Sequence, residues 1–115
     1  MKLPYRNNSF IAQDKINNYL LSLTHEKGKY KAFIFRKLGF NESNTDLFMK
    51  ALLKIAYENE VDSSRDIINN GVCLGKSYAI AGEIIGINGR SRNIKTVWKI
   101  LKNKRKPSLV TASPV

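Results

Sequence analysis

The chain predicts an α+β fold, with three N-terminal helices packed on a small antiparallel sheet of three to four strands. Three observations lead to it. Apolar residues between positions 14 and 58 recur at helical spacing, and after Asn59 the period shortens towards strand alternation. Asn88-Gly89, a dipeptide suited to the positive φ values of a tight hairpin turn, then joins two alternating runs. Helices followed by consecutive strands place the helices on one face of the sheet.

Taken in order, residues 1–13 show no helical period and carry Pro4, so they read as an extended arm. Asp14 is expected to cap a first helix whose Ile16, Tyr19, Leu20 and Leu23 share a face, ending near Thr24. Gly28 separates it from a second helix with Tyr30, Phe33, Ile34 and Leu38 as the expected buried stripe, closed by a left-handed cap at Gly39 with Phe40 as its apolar contact. Ser43 and Asp46 have capping-box character ahead of a third helix over 45–58, with Leu47, Phe48, Ala51, Leu52 and Ile55 inward. Residues 60–77 read as a glycine-punctuated loop holding at most one short strand near Ile67 and Ile68. The hairpin strands are expected over 78–87 and 91–101, and a last strand over 108–113, where Pro107 fits a strand start. The division is an arm at 1–13, a helical part at 14–58, and loop and sheet at 60–115, all within one domain spanning 1–115.

Composition narrows the function. Of 115 residues 43% are apolar, which suits one hydrophobic core, and no apolar run is long enough to span a bilayer. No leader-like segment opens the chain, so a cytoplasmic protein without a membrane anchor is expected. The single Cys73 cannot form an internal disulfide and reads as a small buried residue rather than a nucleophile. Twenty Lys and Arg against nine Asp and Glu leave a net charge of +11. No acidic residue follows Glu83, whereas Arg90, Arg92, Lys95, Lys99, Lys102, Lys104, Arg105 and Lys106 all do. With Lys27 they are the candidate RNA-binding residues. Such a field attracts phosphate backbones, acidic proteins or anionic lipid. The basic stretch reads as strands and not as an amphipathic helix, which leaves nucleic acid or an acidic protein as the expected partner.

The chemistry-bearing residues are few. With one histidine, one cysteine and scattered acids, no metal-ligand spacing occurs, so no metal or other cofactor is expected. A G-x-S-x-G elbow and a Walker loop are both absent from the sequence. What stands out is "THEKGKYK", residues 24–31, which gathers Lys27, Lys29 and Lys31 around His25. This set suits cleavage of RNA through attack by its own 2'-hydroxyl, which needs one group to move a proton and cations to stabilise charge on the phosphate oxygens. His25 is then the general acid or base, Lys29 and Lys31 the stabilisers, and neighbouring ammonium groups favour the neutral ring. The structural alternative is a histidine that interacts with the last carbonyls of the first helix.

In the same order and nearly end to end, "MKLP", "KINNYLL", "HEKGKYKAFIFRKLGF", "GKSY", "KTVW" and "PSLVTASP" resemble a family of small bacterial proteins known only as a domain of unknown function. Its members read MKLPN, then H-x-x-G-x-x-K-A, S/T-x-W and a closing L-V-T-x-x-P. The chain departs from that pattern at Tyr5, where Asn is usual, and at Glu26, where Pro is common. The resemblance implies toxins that sit beside a small antitoxin gene or form the C-terminal part of larger secreted toxins. More loosely, the layout is similar to colicin D and the barnase, EndoU, colicin and RelE group of toxin RNases. That likeness implies a site in which His25, Lys29 and Lys31 face Thr96 and Trp98, with Thr111 completing the cleft floor, RNA (possibly tRNA) as substrate, and a small acidic antitoxin or immunity protein as partner. Two readings are open for Trp98, a core residue or an indole that stacks on a base, and two for Thr111, a strand threonine or a donor to phosphate. The alternative for the whole chain is a non-catalytic module that binds nucleic acid or an acidic protein.

Overall fold

A computed structural model describes residues 1–26 and 28–115. After an arm with a 3-10 turn at Arg6–Asn8 come α1 (Gln13–Lys15), which continues as a π-helical stretch Ile16–Leu20, then α2 (Lys29–Lys37) and α3 (Thr45–Glu58). The strands are β1 (Ser63–Asn69), β2 (Val72–Ile85), β3 (Ser91–Leu101) and β4 (Ser108–Pro114). They form one antiparallel sheet in the order β1-β2-β3-β4. α3 lies mainly on β2, while α1 and α2 reach β4. Among the described residues no helix is long and apolar enough to cross a membrane.

Alternation along the strands creates the two faces of the sheet. In β3, Ile94, Thr96 and Trp98 point into the core while Lys95 and Lys99 are exposed. Tyr78, Ile80 and Ile84 of β2 join them, and Phe48, Leu52, Ile55 and Ala56 of α3 cover them. Trp98 is the largest fully buried side chain. Its Nε1–H donates to Thr96 Oγ1 at 2.8 Å, and that hydroxyl donates to Ile80 O at 2.7 Å. Each polar atom of this chain has a partner, so a tryptophan and a threonine sit inside the core at little cost.

Several local expectations change. The arm is not simply extended: besides its 3-10 turn it lies beside β4, with Phe10 N donating to Pro107 O at 2.9 Å and Leu109 N donating to Phe10 O at 3.2 Å. Asp14 is inside the first turn and Ala12 is the N-cap. The first helix stops at Leu20 and not near Thr24, because the Leu21 N–H reaches back to Ile16 O across a widened turn and buries Leu20 and Leu21 side by side. Leu23 is left exposed.

In α2 the buried residues are Ala32 and Phe35, while Tyr30 is 75% and Phe33 55% exposed, so the stripe lies on a different side of the helix from the expected one. The outward rings carry the Lys29 and Lys37 ammonium groups instead. The Gly39 cap forms as expected, with φ +97°, Gly39 N donating to Arg36 O and Phe40 N to Phe35 O. The capping box does not form: Asn44 is the N-cap of α3 and the Ser43 hydroxyl donates to Asn41 Oδ1. Leu47 is exposed.

The largest correction is at residues 60–77, which hold β1 and the start of β2 and are not a loop. Asn70 and Gly71, both at positive φ, make the two-residue turn between these strands. Asn88-Gly89 lies in a longer connection, where Asn88 Nδ2 donates to Lys37 O at 2.7 Å and ties the turn to the end of α2. β2 starts earlier than expected, at Val72, and ends at Ile85. Cys73 is only half-buried, its Sγ 3.5 Å from Gly75 O.

Candidate functional site

A polar cluster lies where the π-helical stretch, α2 and β4 meet. Lys31 Nζ donates to the Tyr19 hydroxyl and to Thr111 Oγ1, both at 2.8 Å, and the two hydroxyls are 3.2 Å apart. The edge of the His25 ring contacts the Tyr19 ring, with centroids 4.8 Å apart at 69°. Tyr19, His25, Lys31 and Thr111 are all half-buried. A closed triangle of ammonium and two hydroxyls fixes three flexible groups without satisfying a buried backbone, which is unlike the Trp98–Thr96 pair.

Local structure explains how each side chain arrives. Between Val97 and Trp98 the β3–β4 register shifts, leaving Val110 as an extra residue beside Thr111. Such a bulge bends the edge strand and re-aims the next side chain. Gly28 packs directly on Tyr19: a Cβ there would lie 2.7 Å from Tyr19 O and 2.8 Å from its ring. His25 sits in the connection between these helices, where its Nδ1 accepts from Gly28 N at 3.0 Å and its N–H donates to Ser22 Oγ at 3.2 Å. Accepting at Nδ1 puts the proton of the neutral ring on Nε2. Arg36 holds the start of that connection, donating to Leu21 O and pairing with Glu42. Gly28→Ala should therefore push Tyr19 off Lys31 and cost about 1–3 kcal/mol by overpacking. Urea denaturation of the variant checks this, and an unchanged midpoint would mean that the connection has slack.

Electrostatics single out Tyr19. Burial alone pushes its phenol up, but hydrogen bonds from Lys31 and Thr111, with the charges of Lys31 and Lys15, outweigh burial and bring the pKa below the ordinary 10.0. Lys15 Nζ lies 5.4 Å and Lys31 Nζ 5.1 Å from the centre of the ring.

The remaining candidate residues divide by position. Lys29 is exposed, its ammonium over Tyr30 at 5.6 Å and outside the triangle. Thr96 and Trp98 are fully buried in the core, so neither forms a cleft floor. Lys27 lies outside the described residues. The other basic residues do not form one patch: Arg90 and Arg92 stand at the start of β3, Lys102, Lys104, Arg105 and Lys106 beyond its end, roughly 33 Å away at strand rise. Lys95 and Lys99, exposed on the outer face, connect the two ends. Val97, opposite Thr111 in the ladder, lines a shallow hollow of about 270 Å3 on that face with Arg65, Ser77 and Lys95. The cluster thus adjoins a positive stripe. Among the described residues no three His, Cys, Asp or Glu side chains come together as a metal site would require.

The family model for DUF6883, a domain of unknown function, matches residues 2–115. The chain belongs to the DUF6883 family. No curated protein matches it. In solved structures this DUF6883 fold is similar to a chain of a contact-dependent growth inhibition toxin–immunity protein complex from Klebsiella pneumoniae 342, with TM-score 0.68 and 14% identity over 96% of each chain. At that identity the likeness is one of fold.

The DUF6883 site has one member that sequence reasoning placed only on a buried helical face, namely Tyr19. Its spacing to Ile16 and Leu20 is that of a core residue, and nothing local marks it as the centre of a polar cluster. The nearest sequence signal is "HEKG", because a glycine three residues after the histidine is what lets the second helix approach Tyr19.

Proposed function

We propose that this chain is the toxic domain of a bacterial growth-inhibition pair and a metal-independent endoribonuclease, with transfer RNA the first substrate to try. The observation that carries the reading is the Tyr19–Lys31–Thr111 triangle with His25 against it, beside the positive stripe along β3. In the proposed reaction the RNA 2'-hydroxyl gives its proton to Tyr19, and its oxygen attacks phosphorus. The P–O5' bond breaks, and His25 supplies the proton that the 5'-oxygen takes up. Lys31, with two of its three N–H donors used among the described residues, offers the third to a phosphate oxygen, and Thr111 holds the ammonium in place. The products are a 2',3'-cyclic phosphate and a 5'-hydroxyl. A net charge of +11 suits the RNA-cutting member of a toxin–immunity pair, and an acidic immunity protein is the complementary partner.

Cleavage of tRNA in excess EDTA, with 2',3'-cyclic phosphate ends, is the expected result. Ends bearing a 5'-phosphate, or activity lost on chelation and restored by magnesium, would sink the mechanism. With phenolate as the base, the rate should rise with pH through the lowered Tyr19 value, below 10.0, and Tyr19→Phe should abolish that rise. A second reading, RNA binding without chemistry, is favoured by the stripe alone. It predicts tight, salt-sensitive binding and intact RNA after long incubation.

A further inference from the structure

The largest cavity on the surface is not part of the triangle. It is a groove of about 530 Å3 between the N-terminal arm and the end of the sheet, lined by Phe10, Lys15, Lys99, Leu101, Lys104 and Lys106 among others, with no acidic residue in its lining. That volume is in the range of about 300–1,000 Å3 found for sites that hold small organic groups. Two features separate it from an ordinary lysine-rich surface. Phe10 is 45% exposed, yet its backbone is clamped on both sides, to Pro107 O at 2.9 Å and Leu109 N at 3.2 Å. A flat apolar ring is therefore held at a fixed place in water, with four ammonium groups around the same hollow. One of them, Lys15, also approaches the Tyr19 ring, so the groove opens beside the cluster.

We infer that this groove holds an unpaired nucleotide next to the cleaved phosphate, its base stacked on Phe10 and its flanking phosphates paired with Lys99, Lys104 and Lys106. Stacking on an aromatic ring is open to every base, and lysines spaced along a groove track a sugar-phosphate backbone; together they are the two parts of a single-strand site. An acidic polypeptide would use the lysines and leave the ring unexplained. Nor could it add as a strand along the stretch of β4 that the arm already occupies at Phe10 and Ser108. The meaning of the neighbouring cluster rests on the RNA-cleaving reading, whereas the binding itself does not.

The test uses the full chain carrying Lys31→Met, so that RNA stays intact, and a short fluorescein-labelled single-stranded RNA read by anisotropy across a salt series. Phe10→Ala and Phe10→Leu should each weaken binding about tenfold with the salt slope unchanged, and Phe10→Trp should restore it. Lys104→Ala with Lys106→Ala should lower the slope by about 1.4, at roughly 0.7 for each phosphate released from a single strand. Equal affinity of wild type and Phe10→Leu, or the same loss for a polyglutamate probe as for RNA, would overturn the inference. The Leu variant keeps the apolar bulk, so a folding defect in Phe10→Ala leaves the comparison decisive. RNA that binds in this way but is never cut by the wild type would remove the nuclease reading and keep the groove. Wild-type cleavage with Phe10→Leu binding and cutting unchanged would remove the groove alone.

Discussion

Lys31→Met is expected to lower the single-turnover rate of RNA cleavage about a hundredfold to a thousandfold while leaving RNA affinity within a few-fold. Lys31 is the hub of the triangle: its ammonium donates to Tyr19 and Thr111 at 2.8 Å each and contributes to lowering the Tyr19 pKa. Removing it takes away the cation beside the developing phosphate charge, an effect of about 3–4 kcal/mol for one preorganised donor, and returns the phenol to its ordinary acidity. Methionine keeps the length and apolar stem, so the α2 packing beside Ala32 and Phe35 survives. Lys102 is the control. It is exposed beyond β3, with its backbone N–H bonded to Leu74 O, and Lys102→Ala should change binding slightly and only through the salt-dependent part. Equal, small effects of both substitutions on rate would show that Lys31 is one more solvated charge.

Trp98→Ala is expected to cost about 3–5 kcal/mol of stability, which is a large share of what holds a domain of this size together. The indole is wholly buried among Tyr78, Ile80, Ile94 and Leu109, and its loss opens a cavity under α3. Two companions separate bulk from hydrogen bonding. Trp98→Phe keeps most of the ring and should cost less, whereas Thr96→Val leaves the indole N–H unpaired in the core, at about 1–3 kcal/mol. Urea denaturation measures all three. Cleavage by the folded fraction of Trp98→Phe should equal that of the wild type; a specific loss of cleavage there would return Trp98 to the site.

Much of the fold was legible because its signals are local. The bounds of α3, β3 and the Gly39 cap follow from period and turn chemistry within a few residues, and the observed elements are those expected there. β1 was missed although Asn70-Gly71 carries the same turn signal as Asn88-Gly89, because its strand is exposed on nearly every residue and shows no alternation to read. The α2 stripe was misplaced for the opposite reason. Tyr30 and Phe33 are apolar enough to look buried, and only packing against the π-helical stretch turns Ala32, Phe35 and the Lys31 ammonium inward.

By itself the sequence determined the α+β class, the helices-then-strands order, the positive charge and the gathering of lysines around His25, all properties carried by neighbouring residues. Which lysine meets which hydroxyl was decided only by tertiary structure. Lys31 reaches Tyr19 across 12 positions and Thr111 across 80, so neither pairing leaves a trace in local spacing. The π-helical turn, the bare surface of Gly28 and the bulge at Val110 bring these three side chains to one point. Thr96 and Trp98, two positions apart on one face of β3, went instead into the core, because each satisfies the other's hydrogen bond there.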